Sequence, residues 1–234
     1  MAKTIIDAHN VSKTYNPDKV PVKAVKEVHL HIEEGEFVAL VGPSGSGKST
    51  LLNMIGGLDD PTSGSVIIDD VEITELSENK LIDFRLHNIG FVFQSFNLIP
   101  VLTAKENVGF VLQLQKFDKE KREKRVMELL KEVGLEDKVN TKPGELSGGQ
   151  QQRVAVARAL ASKPKIVLAD EPTANLDSKA AANLMDIMSK LNEEEKITFL
   201  FSTHDQRVIK KARRVITLVD GKIDSDEEQT PSEE

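Results

Sequence analysis

The sequence predicts an α/β protein with a largely parallel sheet, an antiparallel β subdomain and an inserted α-helical subdomain. Three observations lead there. Short apolar runs alternate with amphipathic stretches of helical period, the pattern of strands covered by helices. One early segment, "EVHLHI" (Glu27–Ile32), alternates apolar and polar residues strictly, as an antiparallel strand with one wet face does. Between Gln94 and Lys163 the strand-like runs stop and helical patterns replace them.

The core strands are read at "FVALV" (Phe37–Val41), "IGFVF" (Ile89–Phe93), "KIVLA" (Lys165–Ala169) and "ITFLF" (Ile197–Phe201), with "RVITLV" (Arg214–Val219) nearby. Their near-continuous hydrophobicity suits burial on both faces. His29 and His31 fall on the polar face of the alternating segment, but a metal pair there has no third ligand at useful spacing. In the helical stretch, "TAKE" (Thr103–Glu106) is a capping box that starts one helix. Val126, Leu129, Leu130 and Val133 give the i, i+3, i+4, i+7 spacing of another, and the neighbouring "DKEKREKR" reads as its solvated face. The expected organisation is one domain over residues 1–223. Segments 1–94 and 164–223 form the α/β core with its antiparallel β subdomain, 95–163 the helical lobe, and 224–234 an acidic disordered tail.

Composition narrows the chemistry. Hydrophobic content of 39% and charged content of 29% over 234 residues are those of an ordinary globular protein. The absence of cysteine excludes disulfides, thiolate metal sites and cysteine nucleophiles. The net charge of −7 is concentrated at the end, since residues 223–234 hold six acids and no Lys or Arg. Without them the chain has 32 acids against 31 bases, so no electrostatic case for binding nucleic acid exists. No apolar run reaches the ~20 residues that span a bilayer. The opening "MAKTIIDAHN" has no signal-peptide h-region. The expected location is cytoplasmic, with any membrane role reached through a partner.

The chemistry-bearing motif is "GPSGSGKST" (Gly42–Thr50), which fits G-x-x-x-x-G-K-[ST] without a mismatch, between a buried strand and a helical run. Gly42, Pro43, Ser44, Gly45, Ser46, Gly47, Lys48, Ser49 and Thr50 form the expected phosphate cradle. Gly45 and Gly47 let backbone N–H groups turn inward, Lys48 meets the β- and γ-phosphates, and Ser49 ligates Mg²⁺. "IVLADEP" (Ile166–Pro172) ends a strand in two acids. Asp170 stands where a further Mg²⁺ contact is wanted, and Glu171 points outward, toward an attacking water. Helix capping is the plain alternative for such a pair, and the phosphate loop outweighs it. His204 in "FSTHD" lies past another strand, on the same sheet edge, where a γ-phosphate contact is expected. Gln94, at the start of the helical lobe, is a neutral oxygen ligand for Mg²⁺. Tyr15, the only tyrosine, reads from sequence alone as a packing residue. "LSGGQQQR" (Leu146–Arg153) is a second anion-binding device: a serine cap, two glycines and a helix start, but no lysine.

Together these residues resemble the ATPase subunit of ATP-binding-cassette (ABC) transporters, over about residues 4 to 223. "LSGGQ" matches the signature letter for letter. Tyr15 matches the A-loop aromatic, Gly42–Ser49 Walker A, Gln94 the Q-loop, Asp170 and Glu171 Walker B and the catalytic glutamate, "ANLD" (Ala174–Asp177) the D-loop, and His204 the switch histidine. The resemblance implies a P-loop NTPase (RecA-like) core and ATP and Mg²⁺ as cofactors. It further implies an ATP-induced head-to-tail homodimer, in which Ser147, Gly148, Gly149 and Gln150 face the γ-phosphate of the partner's nucleotide, with Asp177 at the interface. That explains the missing lysine, because the second device closes a site opened on the other chain. Lys48, Glu171 and His204 are the implied catalytic group.

"GGLDDPTSG", "FNLIPVLTAKENV" and "LADEPTANLDS" are most similar to the branch serving lipoprotein release, macrolide export and cell division. Ala174 stands where that branch often has Gly. The resemblance implies an integral membrane permease as partner, met near Ser95–Asn107, and a peripheral position on the inner face of the membrane. A regulatory ATPase that acts on a membrane partner without transport is the alternative. Other P-loop classes fit less well. A GTPase needs N-K-x-D, and "NKLID" (Asn79–Asp83) has the wrong spacing. DNA-repair ATPases place a long coiled coil between Walker A and the signature, which here are about a hundred positions apart with no heptad run.

Overall fold

Alternating burial builds the first sheet of the computed structural model, which describes residues 3–230. β1 (Thr4–Tyr15) and β2 (Val22–Glu33) pair antiparallel; Ile6, Ala8, Leu30 and Ile32 turn inward, while His9, His29 and His31 lie exposed. β3 (Phe37–Val41) follows, buried at four of its five residues, and a glycine-rich turn leads into α1 (Lys48–Ile55). β4 (Ser63–Ile68) returns beside β1, and β5 (Val71–Glu72) completes a four-stranded sheet of order β2-β1-β4-β5. α2 (Glu78–Asn88) then leads to β6 (Ile89–Val92).

The lobe is helical as its periodicity predicts. It holds α3 (Ala104–Leu114), α4 (Lys119–Glu132) and α5 (Gly148–Leu160). Thr103 and Glu106 form the expected capping box at the start of α3. Asn107, fully buried on that helix, ties down the segment leading into it: its amide bonds the carbonyls of Ile99, Leu102 and Thr103 and accepts from the Ile99 N–H at 2.8 Å. The chain re-enters the core through β7 (Ile166–Asp170), α6 (Ser178–Glu195), β8 (Thr198–Ser202), α7 (Gln206–Ile209), β9 (Arg214–Val219) and β10 (Lys222–Glu228). The second sheet has the order β10-β9-β3-β8-β7-β6, parallel except for β10.

The continuous hydrophobicity of the central strands now has its physical reason. Val38, Leu40, Leu168 and Leu200 pack toward α1 and the antiparallel sheet. Phe37, Ala39, Val167, Phe199 and Phe201 pack on the other face, against α5 and α6. Phe37 anchors that face, with its ring centroid 5.5 Å from Phe199 and 4.9 Å from Phe201.

Two features depart from the sequence reading. α2 buries no residue fully, so it carries no apolar stripe for periodicity to detect. The acidic end, expected to be disordered from residue 224, instead continues as β10 to Glu228, paired along β9. The reason is an arginine. Arg214 is 9% exposed and needs counter-charges; its Nε and Nη2 donate to Asp226 at 2.7 and 2.8 Å, and its Nη1 donates to Glu36 at 2.9 Å. Asp226 is therefore part of the core's electrostatics. Residues 231–234 of the expected tail lie outside the described residues. Among the described residues, no helix is long and apolar enough to cross a membrane.

Asp226→Asn should lower the urea midpoint without changing the m-value, a loss of about 1–2 kcal/mol for one weakened charge-assisted contact. An unchanged midpoint in equilibrium urea unfolding would return Asp226 to a solvated tail.

Candidate active site

At the carboxyl ends of the central strands, where open parallel sheets bind ligands, lies a cavity of about 660 Å³. It is lined by Ala24, the whole Gly42–Thr50 loop, Gln94, Glu171 and His204. The loop's glycines are dictated by space as well as by torsion. A Cβ on Gly42 would lie 2.0 Å from the Leu218 carbonyl oxygen, and one on Gly47, at φ +103°, 2.3 Å from that of Ala24. α1 starts at Gly47 with no side-chain cap, so its first-turn N–H groups are free for an anion. Lys48 is only 8% exposed, and its ammonium donates to the carbonyls of Gly42 and Pro43 at 2.8 and 3.0 Å. No carboxylate pairs with it among the described residues. Ser46 Oγ is buried with no hydrogen-bond partner. A confined cation, an orphaned hydroxyl and an uncapped helix end make a cradle chemically suited to a polyphosphate.

The opposite wall is assembled by strand register. Asp170 and Ser202 are partners on parallel β7 and β8. Ser202 Oγ donates to Asp170 Oδ1 at 2.6 Å and accepts from the Glu171 N–H at 2.9 Å. Ser49 Oγ donates to the same Asp170 oxygen at 2.9 Å, which joins the loop to the strand ends. Glu171 adopts a left-handed φ of 47°, a turn that carries it off the strand line, and its Oε1 lies 2.9 Å from His204 Nδ1. The Ser49 hydroxyl, the Asp170 carboxylate and the Gln94 amide are hard oxygen donors, the set that Mg²⁺ takes. The fit is good, because Ser49 and Asp170 already converge and Gln94 lines the same cavity.

Other sequence-predicted residues lie apart. Ser147 caps α5 in a capping box with Gln150, whose side chain accepts from the Ser147 N–H at 2.9 Å, but none of Ser147, Gly148, Gly149 and Gln150 lines the cavity. Asp177 is also outside it, capping α6 through the Ala180 N–H at 2.9 Å. Tyr15 is 37% exposed, and its hydroxyl donates to Asp59 at 2.6 Å.

Three contributors escaped sequence reading. Ser202 is signalled only by its place opposite Asp170. Asn175 holds the Gln94 carbonyl at 2.8 Å. Arg158, on α5, donates to the carbonyl of Phe96 at 2.9 Å and to that of Asn97, two consecutive residues at left-handed φ of 62° and 50°. Burial pushes the Arg158 guanidinium below its ordinary range. The helix that begins at the signature thereby grips the segment after Gln94.

Comparison with known proteins decides the family. Residues 25–174 match the model of the ABC transporter family. The chain belongs to that family. The cassette is 50% identical over 227 residues to the uncharacterized ABC transporter ATP-binding protein MJ0796 of Methanocaldococcus jannaschii, over 95% of this chain and 97% of that one. It is 44% identical over 227 residues to the macrolide export ATP-binding/permease protein MacB of Mannheimia succiniciproducens, covering 97% of this chain and 35% of MacB. A solved dimeric structure of MJ0796 superposes with a TM-score of 0.90 at 50% identity, over 96% of this chain and 98% of that chain. A dimeric post-hydrolysis state of MJ0796, bound to ADP and Pi, gives 0.89 at 49% identity and the same coverage. The cassette is an ATPase that uses ATP and Mg²⁺, and its relatives include the macrolide-export branch read from its motifs.

Ser202→Ala should lower kcat in saturating Mg-ATP roughly 5- to 30-fold, the worth of one to two hydrogen bonds that orient Asp170 and Glu171. A kcat within twofold of the parent, at matched melting temperature, would remove Ser202 from the site.

Proposed function

We propose that this cassette dimerises head-to-tail around two ATPs and powers a separate integral membrane permease, in an exporter or lipoprotein-releasing complex. The observation that carries the dimer is that the chain's two anion-binding devices do not meet. The phosphate cavity is built without the signature, while the glycine-rich start of α5 has the exposed Ser147 at its cap. A second copy, inverted, brings Ser147, Gly148, Gly149 and Gln150 to the γ-phosphate of this chain's ATP, and the helix dipole adds attraction. Asp177, beside that helix, lies at the interface. That the relative MJ0796 has been solved as a dimer supports dimerisation.

In this reading Gly42–Thr50 and Lys48 hold the β- and γ-phosphates, and Tyr15 stacks on the base. Ser49, Asp170 and Gln94 hold Mg²⁺, which, when bound, neutralises charge on the phosphate oxygens. Glu171 takes a proton from the attacking water, and Ser202 fixes its backbone while His204 orients its carboxylate. His204, 72% exposed at the cavity edge, is free to reach the γ-phosphate as well.

A permease contact is supported by an apolar groove of about 540 Å³ beside α2, β6, α3 and α5, whose walls include Leu58, Ile82, Phe91, Phe93 and Leu114. Ile82 and Leu114 are 48% and 52% exposed, an apolar surface suited to a helix of a membrane subunit. Arg158 lines this groove and grips the Phe96 carbonyl, two residues after Gln94, which links the groove to the segment leading from the cavity. Bound through such a partner, the cassette is peripheral on the inner face of the membrane.

Glu171→Gln should keep ATP affinity, slow turnover roughly 10²- to 10⁴-fold, and leave an ATP-bound dimer visible by light scattering. A variant that stays monomeric in Mg-ATP would sink the dimer. Ser147→Arg should leave ATP binding to the monomer intact, as read by calorimetry, while abolishing dimerisation and turnover. Weakened binding to the monomer would argue that the signature acts within its own chain.

A further inference from the structure

Tyr15 is positioned by a polar network that the ATPase chemistry does not use. It lies on β1 opposite Val22, two residues before Ala24, which lines the phosphate cavity. Its backbone is thus paired close to a cavity-lining residue, although Tyr15 does not itself line the cavity, and 37% of the residue is exposed. The hydroxyl end is anchored. Tyr15 Oη donates to Asp59 Oδ2 at 2.6 Å, and Lys13 Nζ bonds Asp59 Oδ1 and the Asp60 carbonyl at 2.5 Å each. The same ammonium lies 5.1 Å from the Tyr15 ring centroid, a cation–π contact. Asp59 is set in turn by α1, the helix that begins at the phosphate loop, because the N–H groups of Leu58 and Asp59 fold back onto the Asn53 carbonyl at 2.8 and 3.3 Å.

We infer that Asp59, with Lys13, is a positioning residue that fixes the plane of the Tyr15 ring relative to the phosphate loop, so that it stacks on the purine of ATP once the triphosphate is seated. The inference rests on the reading of Tyr15 as the base-stacking residue. A two-χ side chain with an untethered hydroxyl has to be immobilised when the base binds, and that ordering weakens affinity. Here the ring is held beforehand. The electrostatics agree. Burial pushes the Asp59 carboxyl up, but the hydrogen bonds from Lys13 and Tyr15 outweigh it and hold it below the usual range. Burial and the Asp59 bond push the Tyr15 phenol up, so the pair stays carboxylate and donor. α1 thus carries phosphate recognition at one end and, through Asp59, base recognition at the other.

The experiment compares ATP with inorganic triphosphate, which has phosphates and no base, in the wild type and in Asp59→Ala, Asp59→Asn, Tyr15→Phe, Tyr15→Ala and the Asp59→Ala/Tyr15→Phe double variant. Calorimetry gives each Kd. Tyr15 is the only tyrosine and tryptophan is absent, so ultraviolet emission reports base stacking at this one ring. Asp59→Ala and Tyr15→Phe should each weaken ATP roughly 5-fold, within the range of one base–aromatic stack, and the double variant no further. Triphosphate affinity should not move, kcat at saturating ATP should stay within about twofold in Asp59→Ala, and Asp59→Asn, which keeps an acceptor oxygen, should recover most of the loss. ATP, unlike triphosphate, should quench the tyrosine emission. Tyr15→Ala weakening ATP while Asp59→Ala and Tyr15→Phe do nothing would overturn the positioning role and leave the stacking role standing. Tyr15→Ala without effect would overturn both. Equal weakening of ATP and triphosphate by Asp59→Ala would make Asp59 a general support of the loop and overturn the inference.

Discussion

One carboxylate oxygen ties the active site to the fold. Asp170 Oδ1 accepts the Ser49 hydroxyl from the phosphate loop and the Ser202 hydroxyl from the neighbouring strand. Each bond depends on a different part of the architecture. The first requires that α1 start where β3 ends, which the glycines at 42 and 47 permit by letting backbone pass within side-chain distance of Leu218 and Ala24. The second requires the parallel register that sets Asp170 opposite Ser202. A one-residue slip would move every strand side chain to the wrong face and Asp170 away from the loop. The two apolar layers that fix that register are therefore what hold the site in place.

The same economy appears in how parts of the cassette sense one another. The Ser202 hydroxyl donates to Asp170 and accepts from the Glu171 backbone N–H, and Glu171 meets His204, so the two acids and the histidine form one connected set. Asn175, from the segment next to Asp177, holds the Gln94 carbonyl, and Arg158 holds the carbonyls of Phe96 and Asn97. The segment after Gln94, with its left-handed Phe96 and Asn97, is thus gripped from both the core and the helical lobe. Left-handed torsions at two consecutive non-glycine residues cost energy, and these contacts from both sides hold them in place.

Charge at the periphery follows another logic. Arg214 is buried among strand ends, and Asp226 and Glu36 come to it because an unpaired guanidinium there would cost more than ordering a short acidic strand. Composition alone makes residues 223–234 look solvated, since it counts charges without knowing which of them have a partner.

The sequence by itself determined what local rules govern. Residues 42–50 specify their own turn and helix start, the strands at 37–41, 166–170 and 198–202 are legible from hydrophobic runs within a residue of their observed ends, and the capping box at Thr103 and the serine cap at Ser147 form as spelled. Only the tertiary structure decided which distant residues share a hydrogen bond. Ser202 on Asp170, Asp59 on Tyr15 and Asp226 on Arg214 each follow from strand register or chain reversal. It also decided that the signature stands outside its own chain's cavity. Short-range preferences are set by a residue and its neighbours, whereas these contacts exist only after two apolar layers have fixed the register of strands far apart in the chain.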